Sequence, residues 1–253
     1  MTTLPSMKPL AYTHSGDFHV DELVALALLQ TFAFPGQPLE VVRTRNPQKL
    51  AQAMADPEVF VVDVGREYNP QTLNFDHHQI TMEAGWPDGT LYSSCGLVWH
   101  WLKEHGLLHG LFPEAQTVIE KDLIHPIDTH DNGGAKWPQA MLFRLYNRTG
   151  NDVALVNAQF EKALAMAQDL VTNQIHQAQL EHRAEVAMAQ FWEESQELNG
   201  RGIVVVRANL ETRAAASVLA RVSDYQAHLM VFPQGVSRNN RTWFVRALAP
   251  AAN

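Results

Sequence analysis

The sequence predicts an α/β fold with a mainly parallel sheet, followed by a long connecting helix and a small C-terminal α+β domain. Short β-branched runs alternate with helical segments in the first half of the chain. Apolar residues then recur at three- and four-residue steps from about 152 to 195, which is the helical period. Strand-like segments return after Gly200. We therefore expect a first domain over 1–150, a connecting helix over 151–197 and a C-terminal domain over 198–253.

The apolar patterns and their boundary residues predict the elements of the first domain in order. Asn46 is a plausible N-cap, with Pro47 at the first helical position behind it. Gly65 closes a continuous apolar run that is typical of a buried parallel strand. The predicted elements are a strand ending at His14, a buried helix over 21–32, a strand over 38–45, a helix from Asn46, a buried strand over 59–65 and a helix over 93–106.

The second half of the chain predicts one long helix with at most one break, because no Pro or Gly interrupts the pattern between 152 and Gly200. Its apolar face is narrow, which suits a helix that connects two domains. The last 53 residues predict a strand over 201–208, a helix over 211–222, and strands over 226–233 and 242–248.

The composition excludes several classes of protein. Hydrophobic residues make up 46% of the 253 residues, which is enough for a hydrophobic core. The sequence contains no run of 18 or more apolar residues, so we expect no membrane-spanning helix. The N-terminal segment does not resemble a signal peptide, and Cys95 is the single cysteine, so no internal disulfide can form. We expect a cytoplasmic protein without a membrane partner.

The charge is unevenly distributed. Residues 1–200 carry 12 Lys and Arg against 25 Asp and Glu, whereas residues 201–253 carry seven Arg against two acidic residues. An acidic body can hold cations, and a basic C-terminal part can attract an anionic substrate. Chance variation on solvated surfaces is the other interpretation.

Four short segments carry the residues that suggest chemistry, and each follows an apolar stretch. They read HSGDFHVDE, VVDVG, DHH and HPIDTHDNG. Because ligands bind outside the carboxyl ends of strands in an open parallel sheet, all four could meet along one sheet edge. The candidate side chains are His14, Asp17, His19, Asp21, Asp63, Asp76, His77, His78, His125, Asp128, His130 and Asp131.

These residue types predict a site for divalent metal ions. Imidazole and carboxylate ligands without a thiolate cluster suit Mn²⁺, Fe²⁺, Co²⁺, Mg²⁺ or Zn²⁺. Two ions sharing a carboxylate would activate a water and neutralise a phosphoryl group. Asp63 is the most informative residue, because a carboxylate in a buried strand must be paired or bound to a cation. A capping aspartate before Gly65 is the alternative.

The motifs THSGDFHVDE, VVDVG, FDHHQ, SSCGLVW and IDTHDNG, in this order over about residues 11–134, resemble the MYG-one (melanocyte proliferating gene one) family of the DHH phosphoesterase superfamily. The resemblance implies a DHH-type metal-binding catalytic domain and a smaller substrate-capture domain, with the active site between them. It implies a metal-dependent phosphoesterase, and some family members are assigned 3′–5′ RNA exonuclease activity.

The resemblance also implies roles for individual residues. One ion would be held by His14, His19 and Asp63, and the other by Asp21, Asp63, His77 and either Asp128 or Asp131. Asp63 would bridge the ions, His78 would face the substrate phosphate, and Asp76 would orient one of the two histidines. We expect one or two ions per chain, with Mn²⁺ favoured. The chain has His19 where many DHH enzymes have Asp, and Asp17 is an additional possible ligand.

Substrate contacts are predicted at two further places. Ser94 and Gly96 begin a helix whose N-terminal N–H groups suit a phosphate, although simple capping explains them equally well. Arg238 and Arg241 flank a predicted turn and are expected to reach the substrate across the interdomain cleft.

Three functions remain open from the sequence. The first is an exonuclease or oligonucleotide phosphodiesterase that acts on RNA or short oligonucleotides. The second is a phosphatase or pyrophosphatase for a small phosphorylated metabolite. The third is a non-enzymatic, metal-stabilised protein that binds a partner, or a second copy of the chain, through the long helix.

Overall fold

The computed structural model describes residues 7–79, 81–147, 152–195, 203–206, 229–237 and 240–247. The chain divides into two compact units. The first comprises residues 1–111 and 117–175, and the second comprises residues 112–116 and 176–253. The division falls inside the long helix, and the predicted domain boundaries at 150 and 197 stay a prediction.

The first unit contains a five-stranded sheet that is parallel except at one edge. Its strands are β1 (Leu10–Thr13), β2 (Glu40–Arg43), β3 (Phe60–Val62), β4 (Tyr68–Asn69) and β5 (Asn74–Phe75). The spatial order is β2-β1-β3-β5-β4, and β4 alone runs antiparallel to its neighbour. The predicted α/β class with a mainly parallel sheet is confirmed.

The strand order places a crevice between β1 and β3. From β1 the chain moves outward to β2 and then returns to the other side of β1 to form β3. The connections therefore leave the two strands in opposite directions, which opens a crevice beyond their carboxyl ends. His14 directly follows β1, and Asp63 directly follows β3.

Helices cover the sheet, and three of the six described in this part of the chain match predicted helices, whereas the three over 113–144 were not predicted. Asn46 caps its helix as predicted, because its side-chain oxygen accepts hydrogen bonds from the N–H groups of Gln48 and Lys49 at 3.0 and 3.1 Å. The helices are α1 (Val20–Leu28, continued by a π-helical turn Leu29–Ala33), α2 (Pro47–Ala55), α3 (Ser94–Glu104), α4 (Pro113–Ile119), α5 (His125–Asp131, after a π-helical turn Glu120–Ile124) and α6 (Ala140–Arg144).

The core of the first unit is built around aromatic residues of the sheet and of α3. Phe60 lies 5.4 Å from Trp101 in an edge-to-face arrangement and 6.1 Å from Phe75 in a stacked one. Every residue of α1 is buried, including Asp21 and Glu22, because the helix packs between the sheet and other helices. Two carboxylates on a fully buried helix must be compensated locally.

The long helix is continuous, as the uninterrupted pattern predicts. Helix α7 spans Val153–Glu194, 42 residues. In the second unit, β6 (Ile203–Val205) pairs in parallel with β7 (Leu229–Ser237), which pairs antiparallel with β8 (Asn240–Ala247). The predicted helix over 211–222 lies outside the described residues. Among the helices that the structure describes, none is both long and apolar enough to span a bilayer.

Candidate metal centre

Asp63 leaves the sheet rather than continuing it. β3 ends at Val62, and Asp63 has a positive φ of 58°, a conformation that Asp and Asn adopt more readily than other non-glycine residues. The prediction of one strand over 59–65 is therefore too long, and Asp63 is not a residue within a strand. The turn carries the carboxylate into the crevice, where the residue is 4% exposed.

His14 lies between two buried carboxylates. Its Nε2 is 2.6 Å from Oε2 of Glu22 and 3.2 Å from Oδ2 of Asp63. Burial lowers the pKa of His14, but the bonds to Asp63 and Glu22 outweigh burial and raise it to about 10. Burial raises the pKa of Glu22 to about 7, against the opposing effect of His14.

Glu22 is a site residue that sequence reasoning missed. It lies three residues after His19, and its Oε2 accepts a hydrogen bond from the His19 N–H at 3.2 Å, as the acidic member of a capping box does. That spacing was visible in the sequence. The additional contact with His14 required the fold, because the strand before α1 positions the imidazole.

His77 faces three carboxylates. Its Nε2 is 3.2 Å from Oδ2 of Asp131, 3.4 Å from Oδ1 of Asp63 and 3.9 Å from Oδ2 of Asp21. None of these contacts has hydrogen-bonding geometry. Ligand atoms that lie about 2.1 Å from one ion are about 3.0–3.4 Å apart in octahedral or tetrahedral coordination. The Asp131 and Asp63 contacts have that spacing.

Several buried polar atoms of the site have no hydrogen-bond partner among the described residues. Both carboxylate oxygens of Asp21 are in this position, although the residue is completely buried. The others are Nδ1 of His14, Oε1 of Glu22 and Nε2 of His77. Because an unsatisfied buried carboxylate is strongly unfavourable, these atoms fit a site that a cation completes.

The electrostatics of the carboxylates agree with this interpretation. Burial, followed by repulsion from Asp63 and Asp131, raises the pKa of Asp21 well above its ordinary value. Burial also raises the pKa of Asp131, with His77 opposing the shift. The pKa of Asp63 is lowered, because its interactions with the nearby imidazoles of His14 and His77 overcome the effect of burial. A divalent ion would relieve the repulsion among these groups.

Ligand atoms converge in three groups whose members lie within 4.8 Å of one another. Asp63 and His19 each belong to two groups, so neighbouring ion positions share ligands. The groups are His14, His19, Glu22 and Asp63; His19, Asp21 and Asp131; and Asp63, His77 and His78. This donor set of imidazole and carboxylate fits a divalent ion, and the shared ligands fit one or two ions.

Asp76 orients His78 and the turn that follows Asp63. Its Oδ1 is 2.8 Å from Nδ1 of His78, and its Oδ2 accepts a hydrogen bond from the Arg66 N–H at 2.7 Å. The hydrogen bond to Asp76 raises the pKa of His78, whose side chain is 54% exposed. His77 is turned inward to the carboxylates, whereas His78 faces solvent beside them.

The Asp128 side chain bonds the start of α3 and does not face the candidate metal centre. This corrects the prediction of Asp128 as a metal ligand and, as described below, that of a phosphate site at Ser94 and Gly96. Oδ1 of Asp128 accepts hydrogen bonds from Oγ and N–H of Ser93 and from N–H of Gly96 at 2.6, 3.0 and 3.1 Å, and its Oδ2 accepts one from Trp86 Nε1 at 2.7 Å. Asp128 belongs to none of the three groups, so Asp131 is the member of the pair that faces His77.

The same contacts correct the predicted phosphate site at the start of α3. The N–H of Gly96 already has an internal anion as its partner, and a Cβ at this position would overlap the Asp128 carboxylate. Ser94 is not a capping residue, because its Oγ donates to Oδ1 of Asp63 at 3.2 Å. The helix end binds a carboxylate of the protein rather than an external phosphate.

The remaining candidate residues are not among the converging ligand atoms of the described part of the chain. His125 Nε2 lies 2.8 Å from Oδ2 of Asp88, and Nδ1 of His130 accepts a hydrogen bond from the Trp137 N–H. Asp17 is exposed and belongs to none of the three groups. Arg238 lies outside the described residues. Arg241 lies in β8, where the structure describes the backbone only.

Comparison with known proteins assigns the sequence pattern to a family. The model of the family MYG1_exonuc, described as "Uncharacterised protein family (UPF0160)", matches residues 10–252. The "MYG1 protein" of Chlamydia trachomatis is 40% identical over 121 residues, which is 48% of this chain and 37% of that protein. The "MYG1 exonuclease" of Rattus norvegicus is 38% identical over 148 residues, which is 52% of this chain and 37% of that protein. These matches therefore span well under half of the length of either relative.

A solved structure of RecJ in complex with Mn²⁺ from Thermus thermophilus is also similar, and the match covers 95% of this chain and 45% of that one. The TM-score is 0.33 and the sequence identity is 17%. At this distance the superposition relates no individual residues of the two proteins.

Proposed function

The chain belongs to the MYG1 family, and from this premise we propose that it is a divalent-metal-dependent phosphoesterase that cleaves nucleic acid, with 3′–5′ exonuclease activity. The observation that carries the proposal is the meeting of imidazole and carboxylate groups at the crevice between β1 and β3, with buried carboxylate oxygens that have no partner among the described residues. The exonuclease names of the relatives support the substrate class.

The proposed ligands are the residues of the three groups other than His78, which is proposed to contact the substrate phosphate. Asp63 and His19 would be shared between two ion positions, and Mn²⁺ is the favoured ion, with Mg²⁺, Co²⁺, Fe²⁺ and Zn²⁺ as alternatives. Bound divalent ions supply a Lewis acid for the phosphoryl oxygens and lower the pKa of a coordinated water.

The protein's own residues orient the reacting groups. Glu22 and Asp63 hold His14 from two sides, so the imidazole cannot rotate away from the crevice. Nδ1 of His78 donates a hydrogen bond to Asp76, which stabilises the protonated imidazolium, and in that form the Nε2–H can donate to a phosphate oxygen of the substrate. We propose Asp63 and His78 as the principal catalytic residues.

Hydrogen bonds from distant residues also fix the loop before α1, which carries two of the proposed ligands. The Asn147 side chain accepts a hydrogen bond from the Phe18 N–H at 3.1 Å and donates one to the Phe18 carbonyl at 2.5 Å. Arg43 stacks over the Phe160 ring at 4.3 Å and bonds the Gly16 carbonyl. These contacts fix the loop that carries His14 and His19, so the ligand positions are set before an ion arrives.

An activity screen tests the proposal. Purified protein with Mn²⁺ is assayed against short RNA, short DNA, pyrophosphate and p-nitrophenyl phosphate. We expect cleavage of RNA or DNA from the 3′ end that chelation abolishes. Turnover of pyrophosphate or the nitrophenyl ester alone would favour a small-molecule phosphatase. No turnover with any of the named metals would favour a metal-stabilised binding protein.

The C-terminal arginines and the cellular location stay proposals. Arg238 and Arg241 belong to the basic C-terminal part and could hold a nucleic-acid backbone. Replacing both by Ala should weaken oligonucleotide binding and flatten its salt dependence, and an unchanged salt slope would remove them from the substrate site. A cytoplasmic location and an oligomer formed through α7 are likewise proposals.

A further inference from the structure

Two clefts of the first unit meet at His19. One has a volume of about 290 Å³ and is lined by His14, His19, Arg45, Asp63, Arg66 and His78, among others. We call it the Arg45 cleft. The other, the Arg144 cleft, has a volume of about 330 Å³ and includes His19, His130, Asp131 and Arg144 in its lining. Because His19 also belongs to two of the ligand groups, each cleft opens onto the candidate metal centre.

The Arg45 cleft is lined by two exposed arginines, and a hydrogen bond fixes the side chain of Arg45 and the backbone of Arg66. Arg45 Nε donates to the Ser15 carbonyl at 2.8 Å, and within the described residues its terminal nitrogens have no other partner. Arg66 has a positive φ of 57°, and its N–H is bonded by Asp76, the residue that also orients His78. Arg45, Arg66 and His78 therefore line one cleft, and all three residue types can donate hydrogen bonds to an anion.

The Arg144 cleft is lined by one exposed arginine, Arg144, together with His19. Arg144 ends α6. His130 also lines this cleft, and its Nδ1 is occupied by the Trp137 N–H. Asp131 contributes a negative charge that a bound divalent ion would offset. The two clefts share only His19 in their linings, so an anion in this cleft would be separate from an anion in the Arg45 cleft.

We infer that the two clefts bind two different phosphates of one oligonucleotide. Arg45 and Arg66, with His78, hold the phosphate that is cleaved, and Arg144 holds the next phosphate along the chain. A phosphodiester carries an organic group on both ester oxygens, so a substrate at the metal centre must extend in two directions. A small monoester extends in one direction and leaves Arg144 without an anion. This inference rests on the proposed function and adds three substrate-binding residues to it.

The start of α3 does not compete for this role. The N–H groups of Ser93 and Gly96 are bonded by the Asp128 carboxylate, which places an internal negative charge where an external phosphate would have to bind. Arginine suits phosphate sites, because its planar fork can donate two hydrogen bonds to a phosphate and stays charged at any working pH.

The test compares dinucleotides that differ by one terminal phosphate. The diadenosine dinucleotides pApA and ApAp carry a second phosphate at one end or the other, and ApA carries only the internal one. With Mn²⁺, we expect the wild-type protein to prefer pApA or ApAp over ApA by about tenfold in KM, which is the effect of one charge-assisted contact. In Arg144→Ala this preference should fall to about one, with the KM for ApA unchanged, and Arg144→Lys should restore part of it.

A double variant of the Arg45 cleft distinguishes its role from that of the Arg144 cleft. The double variant Arg45→Ala/Arg66→Ala should raise the KM for ApA and for p-nitrophenyl phosphate by about tenfold each, because every substrate has the cleaved phosphate. Lys8→Ala is the matched control. It removes a positive charge before the first residue of β1, at the end of that strand opposite the metal centre, and should change no KM.

Binding measurements make the result independent of turnover. Calorimetric titration of each variant with pApA, ApAp and ApA in the presence of Mn²⁺ measures the same preference. If the wild type binds with the preference and Arg144→Ala loses it, the inference stands even where no substrate is cleaved, and only the proposed activity fails. The inference is overturned if the wild type shows no preference, or if the preference survives Arg144→Ala.

Discussion

At the scale of single residues, the backbone conformation of Asp63 determines where its carboxylate lies and which histidines it contacts. Its positive φ turns the carboxylate out of β3 and into the crevice. One oxygen then lies 3.2 Å from Nε2 of His14, and the other lies 3.4 Å from Nε2 of His77. A β-branched residue would be strained in this conformation, and any residue without a carboxylate would leave both imidazoles without their shared partner.

We predict that Asp63→Asn lowers metal-dependent turnover by at least about 100-fold, because removal of a shared ligand exceeds the 10–100-fold cost of losing an outer partner. Asn tolerates the same backbone conformation, so the variant should remain folded. Asp17→Asn removes a nearby exposed carboxylate that belongs to none of the ligand groups and is the matched control. Steady-state kinetics and bound metal are measured for both. Equal losses in the two folded variants would contradict the ligand assignment.

A second residue-scale prediction concerns pH. The pKa of His14 is raised to about 10, and that of Glu22 to about 7. Both groups must lose their protons to bind an ion, so a fall in pH weakens metal binding. The logarithm of metal affinity should rise by about one per pH unit between about pH 7 and pH 9, and more steeply below about pH 7. Chelator competition over this range measures the slope, and a flat profile would remove His14 from the ligand set.

At the scale of elements, two helix starts use buried acids in different ways. α1 presents Asp21 and Glu22 toward the metal centre, with Asp21 unpartnered among the described residues. The start of α3 is neutralised by Asp128 of α5, which also receives the Trp86 indole N–H. Asp21 is therefore available to an ion, whereas Asp128 connects α3 and α5 to the loop that carries Trp86.

The connection between α3 and α5 predicts an effect on stability. Gly96→Ala would place a methyl group against the Asp128 carboxylate and should cost about 1–3 kcal/mol of unfolding free energy, as overpacking does. Lys103→Ala on the same helix removes only the surface ion pair with Glu120 and should cost about 0–1 kcal/mol. Denaturant unfolding of the two variants measures the difference. Indistinguishable midpoints would mean that Asp128 moves away at little cost.

At the scale of the whole molecule, chain order determines where the acidic residues converge. The segments that follow β1 and β3 are 49 residues apart at His14 and Asp63, and the return of the chain across β1 brings them together. The first unit therefore concentrates carboxylates at one edge of its sheet. An acidic cluster of this kind opposes folding until cations compensate it.

Metal binding should therefore stabilise the protein. An ion that binds only the folded state at 100 times its dissociation constant adds roughly 2.7 kcal/mol. For a unit of this size the melting temperature should rise by about 5–10 °C. Differential scanning calorimetry with Mn²⁺ and with a chelator measures the shift, and Asp63→Asn should show most of it lost. An equal shift in this variant would show that the ion binds elsewhere.

Local signals in the sequence determined much of this structure. The β-branched run before Asp63, the Asn46–Pro47 helix start and the uninterrupted pattern of α7 predicted their elements because each depends on near neighbours in the chain. The motifs that follow β1, β3 and β5 likewise predicted which segments meet, since parallel strands end at a common edge, whereas the fourth motif lies in α5 rather than after a strand.

Only the tertiary structure decided how those segments meet. It placed Asp131 rather than Asp128 beside His77, because Ser93 and Gly96 at the start of α3 donate hydrogen bonds to Asp128. It also brought Glu22 to His14 and Asn147 to Phe18, the latter across 129 positions of the chain. Such partners depend on the packing of distant elements, and neither residue type nor spacing along the chain specifies that packing.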